Sequence, residues 1–366
     1  MKYQDLGSNI QPLKIFCNSI SHHIRITADP KAIKRKLQHL KASQRLTMKR
    51  KIAENRVIVI GELNIDAVAC GLAEVPKMGM EILASDFRLT LGSASAIFAC
   101  GIAKLGHEVT FIAKVGADDF GKFCVAALRE AGVSTRHVSR DKHLKTGVTI
   151  SLSTRKDRAL VTYLGAIAAM GAEHVRTSWL EGHNHLHMTS YFLQTRMQPS
   201  FPQIFRHARE LGLSTSFDPN SDPSHIWSNS IREVFAYTDL LFLNESEALQ
   251  LTRARTARRA LKALSKEVPC AVIKLGARGA LAVKDGKITS ASGFKVEPTD
   301  TTGAGDSFAA GFVSSYLQGR SIAECLCTGN ACGALATLQA GGTAGQPTRQ
   351  VLKRFLGAHR PAEHFS

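Results

Sequence analysis

Short strand-like runs recur along this chain, and each ends abruptly in a glycine or a polar residue. Val57-Ile58-Val59-Ile60 stops at Gly61, Leu240–Leu243 at Asn244, and Ala271–Leu275 at Gly276. A run this short and apolar at every position turns apolar side chains to both faces of an extended strand, so both faces have to be covered. Val109–Ala113, His185–Thr189 and Ser214–Phe217, the last ending in Asp218, read as further strands. Helix-forming stretches lie between them: Ser95–Leu105 closed by Gly106, Lys122–Glu130 stopped near Gly132, Ser200–Leu211, the basic run Ala254–Leu264, and a late region over 305–318 and 321–338. Strand and helix alternating at this spacing give an α/β fold, a central mostly parallel sheet with right-handed crossovers and helices on its faces.

Two interruptions break the alternation. Residues 67–90 are mixed in character, with Pro76 and several glycines, while Gly147–Ser153 and Ala159–Tyr163 are β-like on either side of the charged turn Thr154–Arg158. Together they are expected to form a small accessory sheet. A hairpin through Asp285-Gly286 is expected within 281–288. The folded body is expected to run from 57 to 357.

Charge separates that body from what precedes it. The 366 residues carry 47 Lys and Arg against 30 Asp and Glu, a net of +17, and residues 1–56 alone hold 13 against 3. Asp29-Pro30 has the form of an N-cap followed by proline at the first helical position, and Lys31–Lys51 carries Ile33, Leu37, Leu40 and Met48 among its cations. Residues 1–56 read as a basic extension, chiefly a solvated appendage. Contact with nucleic acid or another polyanion is the functional alternative, and Met48 is an alternative start. No zinc-finger spacing or aromatic-rich basic pattern accompanies it.

The chain has no stretch of about 18 apolar residues and no apolar segment behind a basic start. Neither a membrane span nor export is expected, and a cytoplasmic location is. Cys100, Cys270 and Cys332 sit singly in apolar runs, as reduced core thiols do, and Cys325 and Cys327 lack the second pair that a structural metal site needs. His183, His185 and His187 alternate along one strand without a carboxylate-supported ligand set, and read as surface or core histidines at a strand edge.

The sharpest chemistry lies in Asp300-Thr301-Thr302-Gly303-Ala304-Gly305-Asp306. A polar turn with two glycines enters an apolar helix here. Successive N–H groups at a helix N-terminus make an anion site, and Gly303 and Gly305 let an anionic group come close. A carboxylate at Asp306 would take the proton of a hydroxyl attacking phosphorus. An ordinary capped helix, with Asp306 satisfying amides, explains the same residues. No Lys-Ser or Lys-Thr follows the glycines, so this is not a Walker-type loop.

The heptad resembles the C-terminal signature of the ribokinase-like (PfkB) carbohydrate kinases, and other motifs of that family follow in order from about Val57 to Pro347. Gly61-Glu62-Leu63-Asn64-Ile65-Asp66 resembles its first strand and sugar-binding aspartate, and Leu91–Gly106 its glycine-rich substrate loop and helix. Gly116-Ala117-Asp118-Asp119-Phe120-Gly121 is similar to its Gly-x-Asp-x-x-Gly segment, and Asn244-Glu245-Ser246-Glu247 to its Asn-x-x-Glu motif. Lys274–Ala280 is similar to its nucleotide-side Gly-x-x-Gly turn.

The resemblance implies a ribokinase-like fold with a small β lid drawn from about 67–90 and 147–163. It implies an ATP-dependent kinase with Mg²⁺ and K⁺ as cofactors. Asp306 would be the general base, with the amides of Gly303, Ala304 and Gly305 stabilising the transferring phosphoryl group. Asn64, Asp66, Gly92, Ser93 and Ser95 would meet the sugar. Lys274, Gly276 and Gly279 would lie along the nucleotide, with Asn330 and Ala334 near adenine or its ribose. Asn244 and Glu247 would organise Mg²⁺ through water, and Asp300, Thr302, Gly341 and Gly345 would surround K⁺. A homodimer through the lid would suit the family as well.

Two departures bear on the substrate. Ile97 stands where the family carries a sugar-contacting Asn, with Ser93 or Ser95 as the compensating hydroxyl. Asp218-Pro219-Asn220-Ser221-Asp222-Pro223 lacks the arginine of the family's Asp-x-Asn-x-Arg segment. An arginine there suits an anionic acceptor, so its absence favours a neutral sugar of the ribose or fructose type, unless Arg88, Arg155 or Arg158 replaces it. A nucleoside kinase, with Phe87, Phe120 or Tyr163 stacking on a base, and a non-catalytic binding protein with a basic tail are the alternatives.

Overall fold

The computed structural model describes residues 55–154 and 158–359. The basic run 31–51, the alternative start at Met48 and Arg155 lie outside the described residues.

Thirteen strands among the described residues form two sheets. The larger contains β1 (Arg56–Ile60), β4 (Glu108–Gly116), β5 (Ser134–Asp141), β8 (His185–Thr189), β9 (Ser214–Asp218), β10 (Leu240–Asn244), β11 (Cys270–Lys274), β12 (Ala280–Lys284) and β13 (Lys287–Ala291). Its order is β13-β12-β11-β10-β9-β8-β1-β4-β5. From β5 to β11 all neighbours are parallel, and β12 and β13 close one edge antiparallel. Along β1, Val57 and Val59 enter one core and Ile58 and Ile60 the other, which is why the sequence shows no polar alternation there.

Helices cover both faces. On the Val57 side lie α1 (Ala94–Lys104), α2 (Asp119–Glu130), α7 (Ala304–Leu317) and α8 (Ile322–Ala336), which bring in Phe98, Leu128, Phe308, Phe312 and Leu326. The Ile58 side holds α3 (Phe201–Glu210), α4 (Ile231–Phe235), α5 (Glu245–Thr252) and α6 (Ala257–Leu264). In α3 the buried positions Phe201, Ile204, Phe205 and Ala208 recur at helical spacing, and α6 repeats the pattern with Ala257, Ala260, Leu261 and Leu264. Each such large aliphatic or aromatic side chain contributes about 1.5–3 kcal/mol by leaving water.

The second sheet, order β3-β2-β6-β7, contains β2 (Asn64–Leu72), β3 (Asp86–Leu91), β6 (Gly147–Thr154) and β7 (Arg158–Tyr163). It is the accessory sheet expected from 67–90 and 147–163. The Asp285-Gly286 hairpin joins β12 to β13, with both turn residues at positive φ, 51° and 75°.

Several elements depart from the sequence reading, among them the helices α4 and α5, which it did not include. The edge strand β5 has only Thr135 fully buried and never shows an apolar run. A final helix, α9 (Arg349–Ala358), fully buries only Leu352. The basic helix begins at Ala257 rather than 254, because Arg253 adopts a left-handed conformation that ends α5 and Thr256 caps the next helix. His185 and His187 are buried and bonded to Ser214 and Ser216 of β9, so these two are core residues, while His183, just before the strand, is half-buried. The seven cysteines of the described residues are free thiols.

Candidate active site

In an open parallel sheet, loops on either side of the point where strand order reverses leave a crevice at the carboxyl ends of the strands. Here the chain runs outward from β1 through β4 to β5, then returns to β8 on the other side, so the crevice opens between β1 and β8. Glu62 follows β1 into it and is only 3% exposed. Its Oε1 accepts from Ser190 Oγ at 2.9 Å and from Ser93 Oγ and the Ser95 N–H at 3.2 Å. Its Oε2 accepts from Ser95 Oγ at 2.7 Å and Thr189 Oγ1 at 3.2 Å. Gly61 has to be glycine, since a Cβ there would lie 2.5 Å from the Ser95 Cβ.

The lid sheet starts on the rim of this crevice. Asn64 Nδ2 donates to Asp66 Oδ1 at 3.1 Å and to Thr149 Oγ1 at 3.2 Å. Gly92 presses against both: a Cβ on it would sit 2.6 Å from Asn64 Nδ2 and 2.7 Å from Asp66 Cγ. Burial pushes the Asp66 carboxyl up to about 6, against the opposing pull of the Asn64 bond and Arg158; Asp300 and Glu62 push it further up. Asp118 anchors the lid's root. It caps α2 through the Gly121 N–H at 2.9 Å and accepts from the Thr146 N–H and hydroxyl at 2.8 and 2.6 Å, just ahead of β6.

Across the crevice, the heptad runs through a turn into the first residues of α7. Gly303 is its N-cap at φ 70°, where a Cβ would meet Gly342 Cα at 2.8 Å and Ile97 Cγ2 at 2.9 Å. Ile97 is thus a packing residue beneath the loop. The Ala304 N–H turns to the Thr301 carbonyl at 3.3 Å, whereas the N–H groups of Gly303, Gly305 and Asp306 take no partner among the described residues. These open donors carry the positive end of a 14-residue helix. Burial pushes the Asp306 carboxyl up to about 8; Lys274 opposes the shift, and Asp218, Glu62 and Glu247 add to it.

Lys274 ties the strand ends together. Its Nζ lies 2.5 Å from Asp218 Oδ2, and a Cβ on Gly305 would be 3.3 Å from the same nitrogen. Burial disfavours its charge, yet Asp218, Glu247 and Asp306 together raise its pKa. Asn244 and Glu247 form a capping box on α5: Glu247 Oε2 accepts from the Asn244 N–H at 2.7 Å, and Asn244 Oδ1 from the Glu247 N–H at 2.9 Å. Glu247 Oε1 also accepts from Ser221 at 3.0 Å. Burial, with Asp218 nearby, raises the Glu247 carboxyl. The 218–223 segment therefore spans the site: Asp218 meets Lys274, Asn220 accepts from Ser190, and Ser221 reaches Glu247.

Other sequence-derived residues fall into two groups. Asp300 accepts from the Thr302 and Gly341 N–H groups, both at 2.9 Å, which gathers three of the four residues expected around a monovalent cation. Gly345 packs against the carbonyls of Leu335 and Ala336. Gly276 and Gly279 flank a short 3-10 turn at φ 60° and 97°. Asn330 on α8 donates its amide to the carbonyls of Ala291 and Ser292 at 3.1 Å, so it holds the end of β13, and Ala334 is one helical turn further on. Sequence reasoning missed Glu62 as a hub and the Asp218–Lys274 pair; Arg158, one of the lid arginines it named, reaches with its guanidinium from the lid to Thr302 Oγ1 at 2.9 Å.

An α/β sheet with a β lid, an open-amide helix terminus and a raised carboxyl at its third helical position define a phosphotransferase class of site. Residues 54–349 match the model of the pfkB family carbohydrate kinases, and the chain belongs to that family. It is 32% identical over 291 residues to a 2-dehydro-3-deoxygluconokinase of Bacillus subtilis, covering 75% of this chain and 89% of that one. It is 29% identical to a ribokinase of Haemophilus influenzae, covering 81% and 97%. An Escherichia coli protein called ribokinase II, solved with ATP and Mg²⁺, superposes with a TM-score of 0.75 at 25% identity, over 83% of this chain and all of that one. The fold is ribokinase-like, and the protein is a kinase of the sugar and nucleoside type.

Proposed function

We propose that the protein transfers the γ-phosphoryl group of ATP to a hydroxyl of a neutral sugar of the ribose or fructose type. The observation that carries this is the first turn of α7, where the open N–H groups of Gly303 and Gly305 adjoin Asp306. The acceptor hydroxyl gives its proton to Asp306 as its oxygen bonds to phosphorus, and the bond to the ADP oxygen breaks. Gly303, Gly305 and Lys274 face the charge that develops on the phosphoryl oxygens. Asp66, Asn64 and the main chain of Gly92 hold the sugar, because the Ser93 and Ser95 hydroxyls are taken by Glu62.

The buried carboxylates Asp218 and Glu247 fit Mg²⁺, with Asn244 orienting Glu247. The metal would supply charge neutralisation on the phosphates. Asp300, Thr302, Gly341 and Gly345 are the proposed K⁺ loop. Asn330 supports the nucleotide side through the end of β13, beside Lys274, Gly276, Gly279 and Ala334.

Several further readings rest on the same site. The missing arginine in 218–223 favours a neutral acceptor. Phe87 and Tyr163 lie in strand registers opposite in facing to Asp66, Thr149 and Thr162, which gives a base no stacking surface there. That outward face exposes Phe87, Leu89, Ile150, Val161 and Tyr163, and a second copy of the chain is its proposed cover. No helix among the described residues is long and apolar enough to cross a membrane. A cytoplasmic location, a kinase body from 57 to 357 and a dispensable basic extension complete the proposal.

The test is ADP formation across ribose, fructose, their phosphates, sugar acids and nucleosides. A neutral sugar should lead in kcat/KM. A tenfold preference for a sugar acid or phosphate would overturn the charge argument and point to Arg158, beside Asp66 and Thr302.

A further inference from the structure

Three residues at this site hold backbone conformations that ordinary side chains avoid: two of them bond Glu62, and the third bonds one of those two. Ser93 has φ 74°, Ser190 φ 52° and Asn220 φ 55°. Only a few per cent of non-glycine residues adopt positive φ, and such strain persists where surrounding contacts over-determine it. Ser93 Oγ donates to the Glu62 carbonyl at 2.6 Å, with Glu62 Oε1 at 3.2 Å, and accepts from the Ala96 N–H at 2.9 Å to cap α1. Ser190 Oγ lies 2.9 Å from Glu62 Oε1, and Asn220 Oδ1 accepts from the Ser190 N–H at 3.0 Å. Glycine would occupy either serine position without strain. It would also bring no hydroxyl to Glu62.

We propose that Glu62 is a positioning residue for the sugar site: its buried carboxylate holds the strained Ser93 and Ser190 turns and so fixes Gly92 against Asn64 and Asp66. This rests on the sugar-site reading above. Glu62 leads directly into the strand that carries Asn64 and Asp66, while Ser93 directly follows Gly92. One carboxylate thus sets the spacing between the two sides of the grip. Glu62 itself touches neither reacting atom.

The test uses the full chain with Glu62→Gln. Hydrogen exchange should quicken in 91–97 and 188–192 above any global change, and the KM for ribose or fructose should rise about tenfold or more while the KM for ATP moves less than about twofold. Combining Ser93→Gly with Ser190→Gly removes the strain, so Glu62→Gln added to that pair should change the acceptor KM less than about threefold. Ser190→Ala, which keeps the fold's demand for positive φ but removes one donor, should quicken exchange in 188–192 and serves if Glu62→Gln does not fold. Uniformly faster exchange, or acceptor and ATP KM rising together, overturns the proposal in favour of a purely structural carboxylate. A wild-type protein that phosphorylates no acceptor overturns the sugar-kinase reading instead, while the exchange data still decide whether Glu62 holds the two turns.

Discussion

Replacing Gly92 with alanine should cripple acceptor binding and spare the fold. The added Cβ would lie 2.6 Å from Asn64 Nδ2 and 2.7 Å from Asp66 Cγ, where non-bonded contacts settle at about 3.5–4.0 Å. One side has to retreat by roughly 1 Å. Asn64 is held by the Ile65 carbonyl at 3.0 Å and by Thr149, so Asp66 takes up most of the shift. A displacement of that size in a positioned group costs about 10²-fold in rate. Gly92 is not at positive φ, so alanine brings no backbone strain. We therefore expect kcat/KM for the sugar to fall about 100-fold. The KM for ATP should stay near the wild-type value, and Tm should shift by a few degrees at most. Steady-state kinetics with each substrate varied, beside a thermal melt, measure all three. An unchanged acceptor KM in a well-folded variant would refute the placement of the sugar between Gly92 and Asp66.

Asp306→Asn should lower kcat by about 10²–10⁴ with ATP binding retained, and near-wild-type turnover would remove Asp306 from the base role. In the free wild-type enzyme, kcat/KM should climb with pH through about 8, because the base works deprotonated. The same raised carboxyl makes the folded state hold a proton that the unfolded chain releases near 3.8, so this group's contribution to stability is full at low pH and drains away as pH rises toward 8. Asp306→Asn should accordingly raise Tm relative to wild type at pH 8, with the gain vanishing near pH 4; a gain that is the same at both pH values would contradict the shift. A chain beginning at Met48 should form ADP at nearly the full-length rate and elute from a polyanionic resin at lower salt, and lost solubility would show that residues before Met48 cover part of the body.

Much of the fold was legible because burial on two faces writes itself as short apolar runs, seen in Val57–Ile60 and Leu240–Leu243. The same rule hides β5 and α9, which bury little and leave no such run. At the site, Gly303, Gly305 and Asp306 are adjacent in sequence and declare a helix terminus together. Glu62 does not: its donors come from positions 93, 95, 189 and 190, and a glutamate after a strand reads as a solvated turn. One signal was present, since Glu62 sits between a glycine and a leucine at the end of a fully apolar strand. Lys274 was legible as a residue of the nucleotide turn but not as the ion-pair partner of Asp218, 56 positions away.

The strand order also prescribes a sequence of assembly. β1, the first strand among the described residues, finds one neighbour at 108–112 and the other only at 185–188. From β8 onward each new strand docks on the edge its predecessor has just completed, through β9, β10, β11, β12 and β13, in the order of synthesis. The helix bearing Asp306 follows the last of them. A growing chain therefore carries the proposed sugar-binding residues, at 64–92, long before the proposed base, Asp306, is made. Pulse proteolysis of stalled nascent chains should accordingly show protection spreading from the β1–β4 pair toward β13, with the turn at 300–306 the last to become resistant.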